Sequence, residues 1–313
     1  MKCASSKNYN IISGRKVTHY GCGQCTPCRI NQRRKRTARV LLEATGTNGP
    51  VAFVTLTYND ENCPHELDIT HLRRFIESYR RYRKRNNLRG MVRYFAAGEY
   101  GTKTGRPHFH VMLFGHETRY IFRDGRQYDP VIESSWPHGG THTENANHNG
   151  SLALRCAYLA GYITKKLRSD KADGRRPEFS CGSQRPAGIG WPGLVKIAQS
   201  YLLPDGSAFS AAGQAFMELH GGAVPYTFRY EGRTYPLDRW CREKLADLWS
   251  IPLKSNKMQN PGMILEWDST NNRFAGRVMS YEERLQAEAA DPPETIHEAF
   301  ARWDKLDRKL PRS

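Results

Sequence analysis

Arg106-Pro107-His108-Phe109-His110-Val111-Met112-Leu113-Phe114 places two histidines one residue apart at the start of an apolar run. A run of this length and composition reads as a strand. Strand alternation puts both imidazoles on one face, roughly 6 to 7 Å apart at their base, which lets the rings converge on one divalent cation. Two hydrogen-bonded histidines on a half-buried strand would leave the same trace. The neighbouring sequence has to decide.

Upstream, Met91 to Tyr100 reads as a second strand, joined to the first by the turn Gly101-Thr102-Lys103-Thr104-Gly105. The two are expected to form an antiparallel hairpin. Regular pairing brings Glu99 beside His108. Glu99, His108 and His110 would then be a two-histidine, one-carboxylate set with positions open for substrate oxygen and water, which suits Mg²⁺ or Mn²⁺. The bland alternative for Glu99 is a solvent-exposed strand end.

Further upstream, Val51 to Tyr58 is rich in β-branched and aromatic residues and reads as a central strand after the breaker Gly46-Thr47-Asn48-Gly49-Pro50. Asp68 is a candidate N-cap for a helix in which Ile69, Leu72, Phe75, Ile76, Tyr79 and Tyr82 form an apolar stripe. Such a helix is expected to lie on the sheet. Downstream, Gly115 to Gly150 reads as loops with short strands, and its four histidines share no spacing that would converge them on a metal.

Leu152 to Leu167 reads as a helix. Leu152, Cys156, Ala160, Ile163 and Leu167 form one apolar stripe, and Tyr158, Tyr162 and Lys165 fall about 180° away at 3.6 residues per turn. The tyrosines are therefore expected off the core. A tyrosine is a poor nucleophile at its ordinary pKa of about 10, but a metal that polarises a scissile phosphate makes its attack feasible.

Charge narrows the partner. The chain has 313 residues, with 48 Lys and Arg against 31 Asp and Glu, a formal charge of +17. This balance argues against an enzyme of small metabolites and points to a polyanion, nucleic acid being the usual one. Met1-Lys2-Cys3-Ala4-Ser5-Ser6 leads into polar residues, and no run reaches membrane-spanning length. The expectation is a cytoplasmic protein with no membrane partner.

Among eight cysteines, Cys22, Cys25 and Cys28 form a C-x2-C-x2-C run, with Cys3 and His19 upstream. The spacing lets thiolates turn back onto one tetrahedral zinc, with Cys3 or His19 as fourth ligand; three reduced thiols without metal are the alternative. Cys63, Cys156, Cys181 and Cys241 read as small core residues. The run leads into a helix carrying Arg29, Arg33, Arg34, Lys35 and Arg36. That basic flank is either merely solvated or a phosphate contact.

The ordered set resembles the replication initiators of small single-stranded DNA phages, the microviruses and especially their gokushovirus-like group, within the HUH endonuclease superfamily. The likeness rests on Phe53-Val54-Thr55-Leu56-Thr57-Tyr58, Gly98-Glu99-Tyr100-Gly101, His108-Phe109-His110 and Tyr158-x-x-x-Tyr162-x-x-Lys165-Lys166. The cysteine run ending in Arg29 and the stretch Arg185-Pro186-Ala187-Gly188-Ile189-Gly190 add to it. The resemblance covers roughly residues 1 to 195.

It implies an α+β fold, a central antiparallel sheet flanked by helices, with a Cys-rich basic segment before it (1–50), an endonuclease core (51–195) and an accessory region after it (196–313). It also implies a site-specific nickase of rolling-circle replication, in which a tyrosine forms a 5′-phosphotyrosyl link and frees a 3′-OH. Carried over, His108, His110 and Glu99 hold Mg²⁺ or Mn²⁺, Tyr158 and Tyr162 are nucleophiles, and Lys165 or Lys166 stabilises phosphate or tyrosinate. Arg29, Arg33, Arg34, Lys35, Arg36, Arg106 and Arg185 are the expected DNA contacts.

The implied setting is the cytoplasm of a bacterial host. The implied partners are origin single-stranded DNA and a host polymerase. Because no Gly-x-x-x-x-Gly-Lys-Ser/Thr phosphate loop occurs in the sequence, a host helicase is also expected. Two other classes stay open: a non-catalytic zinc-containing nucleic-acid-binding protein, and a metal-dependent phosphodiesterase using water. Beyond residue 195, hairpin signals occur at Tyr201 to Phe209 and Tyr226 to Tyr235, and a helix near Trp240 to Trp249. Residues from Pro252 through Asn272 read as loop, and Ser280 to Lys309 has helical composition.

Overall fold

The structure, a computed structural model, describes residues 9–12, 15–19, 22–23, 25–88, 90–123, 126–147, 152–165, 174–219, 221–251, 263–268, 270 and 273–278. In chain order the elements are β1 (Tyr9–Ile12), β2 (Arg15–His19), α1 (Thr26–Gly46), β3 (Val51–Thr57), α2 (Ile69–Arg85), β4 (Arg93–Tyr100) and β5 (Pro107–Phe114). There follow β6 (Ile121–Arg123), β7 (Arg126–Tyr128), α3 (Pro130–Ser135), β8 (Thr141–Asn145), α4 (Leu152–Lys165) and β9 (Phe179–Gly182). The last are α5 (Trp191–Gln199), α6 (Ala211–Leu219), β10 (Thr227–Tyr230), β11 (Arg233–Pro236), α7 (Arg239–Trp249), β12 (Met263–Asp268) and β13 (Arg273–Val278). The fold is α+β. It divides into two compact units, Thr47–Ile189 on the one hand and Met1–Gly46 with Gly190–Ser313 on the other.

The Thr47–Ile189 unit is built on a five-stranded antiparallel sheet in the order β8-β3-β5-β4-β9, so the histidine strand β5 lies at its centre. Strand alternation gives the sheet two different faces. Val54, Leu56, Ala96, Phe109 and Val111 point to one face and pack against Leu72, Phe75, Ile76 and Tyr79 of α2 and against Val131, Ile132 and Trp136. Burying one such large apolar side chain contributes roughly 1.5–3 kcal/mol. Placing α2 on this face leaves the other for Thr55, His108 and His110.

Asp68 starts α2 as the sequence predicts, its Oδ1 accepting the Thr70 N–H at 2.8 Å. Arg83, Lys84 and Arg85 sit in the last turn, where cations complement the helix dipole. The predicted β4–β5 hairpin forms with Glu99 paired to His108. The stretch 115–150 contains the β6–β7 hairpin, the short helix α3 and the edge strand β8.

In the other unit α1 and α5 cross with their backbones in contact. A Cβ on Gly193 would lie 2.2 Å from the carbonyl oxygen of Leu42, so only glycine fits there. Buried Glu43 of α1 accepts the Gly190 N–H at 2.7 Å. A four-stranded sheet follows in the order β11-β10-β12-β13. Its β10–β11 turn is Glu231-Gly232, both at positive φ (47° and 70°), the signature of a type I′ hairpin.

Two sequence expectations are corrected here. Residues 263–278, expected as loop, form the hairpin β12–β13 with Met263 opposite Val278. The asparagines at 271 and 272 mark its connection rather than an extended loop. Helix α4 is buried along nearly all of its described side chains: Ala153, Arg155, Ala157 and Leu159 are buried as well as Leu152, Cys156 and Ala160. A single apolar stripe underestimated its cover, because small alanines allow close packing on several sides. Residues 252–262 and 279–313, including the expected Ser280–Lys309 helix, lie outside the described residues.

Candidate metal centre with a facing tyrosine

Glu99 and His108 are direct cross-strand partners, and His110 pairs with Ala97 on one side and Thr55 on the other. Residues opposite one another in an antiparallel pair share a face. The hairpin therefore aims one carboxylate and two imidazoles at a common point. Glu99 Oε1 lies 2.7 Å from His108 Nε2 and 2.9 Å from His110 Nε2. All three ligand atoms lie within 4.8 Å of one another.

The second nitrogen of each ring is also held. His110 Nδ1 is 3.0 Å from Thr55 Oγ1, and His108 Nδ1 is 3.3 Å from the Arg106 carbonyl oxygen. An oxygen at Nδ1 can accept its proton, leaving the Nε2 lone pair for a cation, which is how metal-ligating histidines are usually oriented. Phe53 stacks on the His110 ring at 5.5 Å between centroids and 27°. His110 is thus fixed from three sides.

Glu99 and His110 are 4 % and 3 % exposed, whereas the His108 side chain is 14 % exposed. A buried carboxylate needs charge compensation. Two convergent imidazoles and one carboxylate, without a thiolate, form a donor set that fits a divalent cation. The opening to solvent lies on the His108 side.

Helix α4 brings Tyr158 to this cluster. Its hydroxyl is 3.2 Å from Glu99 Oε1 and 3.2 Å from His110 Nε2. Its ring meets Phe53 edge-on at 6.1 Å. The half-buried Tyr158 is thus off the core interior, as its helical position predicts, with its phenol oxygen at the metal cluster. Tyr162 and Lys165 belong to the last turns of α4, with side chains outside the described residues, as is all of Lys166.

Thr55 and Phe53 are the positioning residues that sequence reasoning did not single out. Their sequence signal was the register: once β5 pairs with β3, alternate residues of β3 must face His108 and His110. Behind α4, Arg155 is ion-paired to Glu144, lies 5.3 Å over Phe53, and ties the helix to β8.

The expected DNA contacts fall into different environments. Lys35 and Arg36 are exposed on α1, and Arg29 and Arg34 are half-buried. Arg33 departs from that flank: it is 4 % exposed, turned inward by helical phase alongside Thr37 and Val40. Arg106 is ion-paired to Asp60 and donates to the Tyr58 carbonyl at 3.0 Å. Arg185 is exposed, and the guanidinium of Arg93 braces its loop by donating to the carbonyls of Ala187 and Gly188, both at 3.0 Å.

Cys22, Cys25 and Cys28 converge at the start of α1, their sulfurs within 4.8 Å of one another. Cys22 Sγ accepts the Cys25 N–H at 3.2 Å and lies 4.0 Å from Cys28 Sγ. Cys3 and the side chain of His19 lie outside the described residues. Cys156 and Cys241 are buried in the core, while Cys63 and Cys181 are half-buried; burial pushes the Cys181 thiol up to about 11. Among the described residues, His116, His138 and His142 join no metal-ligating cluster, and His148 lies outside them. No described helix is long and apolar enough to cross a membrane.

Residues 51–167 match the family model for the phage replication-associated protein ORF2. The chain is 30% identical over 202 residues to replication-associated protein VP4 of Bdellovibrio phage phiMH2K, covering 58% of this chain and 62% of that protein. It is 33% identical over 163 residues to replication-associated protein ORF2 of Spiroplasma virus 4, covering 47% and 48%. It is 27% identical over 173 residues to replication-associated protein ORF4 of Chlamydia phage 1, covering 50% and 42%. The chain thus spans less than two thirds of the length of each of these relatives. No solved structure matches it. The stretch that carries Glu99, His108, His110 and Tyr158 belongs to the replication-associated protein ORF2 family, and the chain is a replication protein of the microvirus type.

Proposed function

We propose that the chain is a rolling-circle replication initiator of the HUH type, a metal-dependent nickase and strand-transferase acting on origin single-stranded DNA. The observation that carries this reading is the Tyr158 hydroxyl 3.2 Å from Glu99 Oε1, at the point where His108 and His110 converge. His108, His110 and Glu99 would hold Mg²⁺ or Mn²⁺. Such a cation neutralises charge on the scissile phosphate and orients it for in-line attack.

Tyr158 Oη attacks phosphorus and its proton passes to Glu99 Oε1, its hydrogen-bond partner. The bond from phosphorus to the 3′ oxygen breaks, giving a 5′-phosphotyrosyl link and a 3′ hydroxyl. Attack of a 3′ hydroxyl on that link reverses the step and joins strands. Tyr162, one helical turn on, is the second nucleophile, and Lys165 or Lys166 stabilises phosphate or tyrosinate.

The endonuclease core is residues 51–195, preceded by the Cys-rich basic segment 1–50 and followed by the accessory region 196–313. Cys22, Cys25 and Cys28, with Cys3 or His19, would hold a structural zinc. Arg29, Arg34, Lys35, Arg36 and Arg185 contact DNA, and Arg106 does so from its pair with Asp60. Extension and unwinding would fall to a host polymerase and helicase in the bacterial cytoplasm.

Incubation with single-stranded origin DNA, with Mn²⁺ or with chelator, followed by denaturing electrophoresis, tests the class. Metal-dependent cleavage with a protein-linked product is expected. Cleavage without a link indicates a water-using phosphodiesterase, and binding without cleavage a non-catalytic binding protein.

A further inference from the structure

The β6–β7 hairpin presents the most exposed large apolar side chain among the described residues. Phe122 is 78 % exposed, and Tyr120 and Ile121 beside it are 38 % and 41 % exposed. Exposed aromatics in a row lose the benefit of burial, so they call for a partner. The stretch 119–128 carries Arg119, Arg123 and Arg126 against a single acid, Asp124. The register sets Arg123 opposite Arg126 across the two strands. Like charges in direct register destabilise a hairpin unless an anion neutralises them.

The base of this hairpin is anchored. Tyr79 Oη lies 2.8 Å from His116 Nδ1, and His116 Nε2 lies 2.8 Å from Asp129 Oδ2, all three residues being buried. Burial pushes the Tyr79 phenol up to about 12, so it stays protonated and donates. Asp129 also accepts the Arg119 N–H at 3.2 Å and caps α3 with its other oxygen. Both ends of the hairpin are thereby pinned to the core of the Thr47–Ile189 unit. Its base follows directly from Phe114, the end of β5 opposite to His108.

We infer that the β6–β7 hairpin is a single-stranded DNA-binding finger, in which Phe122 stacks on an unpaired base and the flanking arginines neutralise the adjoining phosphates. Aromatic stacking suits any base, because every base has a π-face, and basic neighbours follow the backbone. A pinned base holds the aromatic in place before the strand arrives, which reduces the ordering lost on binding. The inference rests on the reading of the chain as acting on single-stranded DNA.

The test is fluorescence titration of the full chain with oligodeoxythymidine bearing one 2-aminopurine, comparing wild type, Phe122→Ala and Phe122→Trp. Phe122→Ala is expected to weaken binding about tenfold, as loss of one stacked base predicts, and to abolish quenching of the 2-aminopurine. Its salt dependence should stay unchanged, since no charge is removed. Phe122→Trp should restore both affinity and quenching. Circular dichroism melts should coincide, because the side chain is exposed.

Equal affinities of wild type and Phe122→Ala would overturn the finger, as would absence of binding by the wild type. So would unchanged DNA binding with loss of self-association in the centrifuge, which would assign Phe122 to a protein contact. Binding needs no cleavage. A wild type that binds through Phe122 but cuts nothing therefore supports the finger while overturning the initiator reading.

Discussion

Tyr158 on α4 donates its phenolic proton to Glu99 on β4 across 3.2 Å, joining residues 59 apart in sequence. The same carboxylate oxygen lies within 2.9 Å of both histidines. Nucleophile and metal ligands therefore share one atom. That coupling makes each of the surrounding residues testable through its effect on metal or on the phenol.

Thr55→Val keeps the shape of the strand but removes the partner of His110 Nδ1. The expected result is a fall in Mn²⁺ affinity of roughly 10–100-fold and a loss of about 1–3 kcal/mol of stability from the unsatisfied buried nitrogen. Thr55→Ser should restore the affinity. Calorimetric titration with Mn²⁺ checks this, and an affinity equal to wild type in Thr55→Val would show that the hydroxyl does not orient the ring.

Glu99→Gln separates metal binding from folding. In chelator the variant should differ from wild type by no more than ~1.5 kcal/mol, because an amide keeps one neutral hydrogen bond to the histidines. Wild type at a hundredfold excess of Mn²⁺ over its dissociation constant should gain about 2.7 kcal/mol. Glu99→Gln should gain almost none of it. Denaturant melts with and without Mn²⁺ decide, and an equal gain in both proteins would remove Glu99 from the ligand set.

The tie between α4 and β8 should weaken in acid. A hydrogen bond from His142, and then the charge of Arg155, hold the Glu144 carboxyl below its ordinary value of 4.5. A depressed folded-state pKa contributes stability that is fully present above the unfolded value and is lost as pH falls through the folded one. Glu144→Gln should therefore flatten the acid limb of the stability curve below about pH 4.5. It should leave the slope near neutrality unchanged, and an unaltered acid limb in the variant would rule the pair out.

The cysteine cluster predicts bound zinc. Protein purified without chelator should release zinc on thiol modification, and Cys25→Ser should lower the zinc content. Loss of that zinc should lower the melting temperature while leaving Mn²⁺ binding at Glu99 intact, since metal at a closed thiolate site contributes folding free energy. A zinc-free preparation with the same melting temperature would leave the thiols without a metal role.

The central hairpin was legible in the sequence because strand alternation and turn length fix the register of β4 and β5 locally. Glu99 falls opposite His108 for that reason alone. Asp68 and the α2 stripe were legible through capping and periodicity. Thr55 was not, because its role depends on a pairing 55 residues away in the chain. Strands β12 and β13 were hidden by the neighbouring asparagines, whose turn preference masked the alternation on either side. The inward turn of Arg33 follows from helical phase, which charge counting ignores. Tyr158 was placed on the correct side of α4 by its position, but the Phe53 and Arg155 contacts that steady it come from tertiary packing.

The most direct test of the tyrosine mechanism is the protein–DNA adduct formed on single-stranded origin DNA with Mn²⁺, measured on denaturing gels for wild type, Tyr158→Phe, Tyr162→Phe and the double variant. An adduct is expected in wild type and in at least one single variant, and none in the double variant. An adduct that survives in the double variant would contradict the assignment of these tyrosines as nucleophiles.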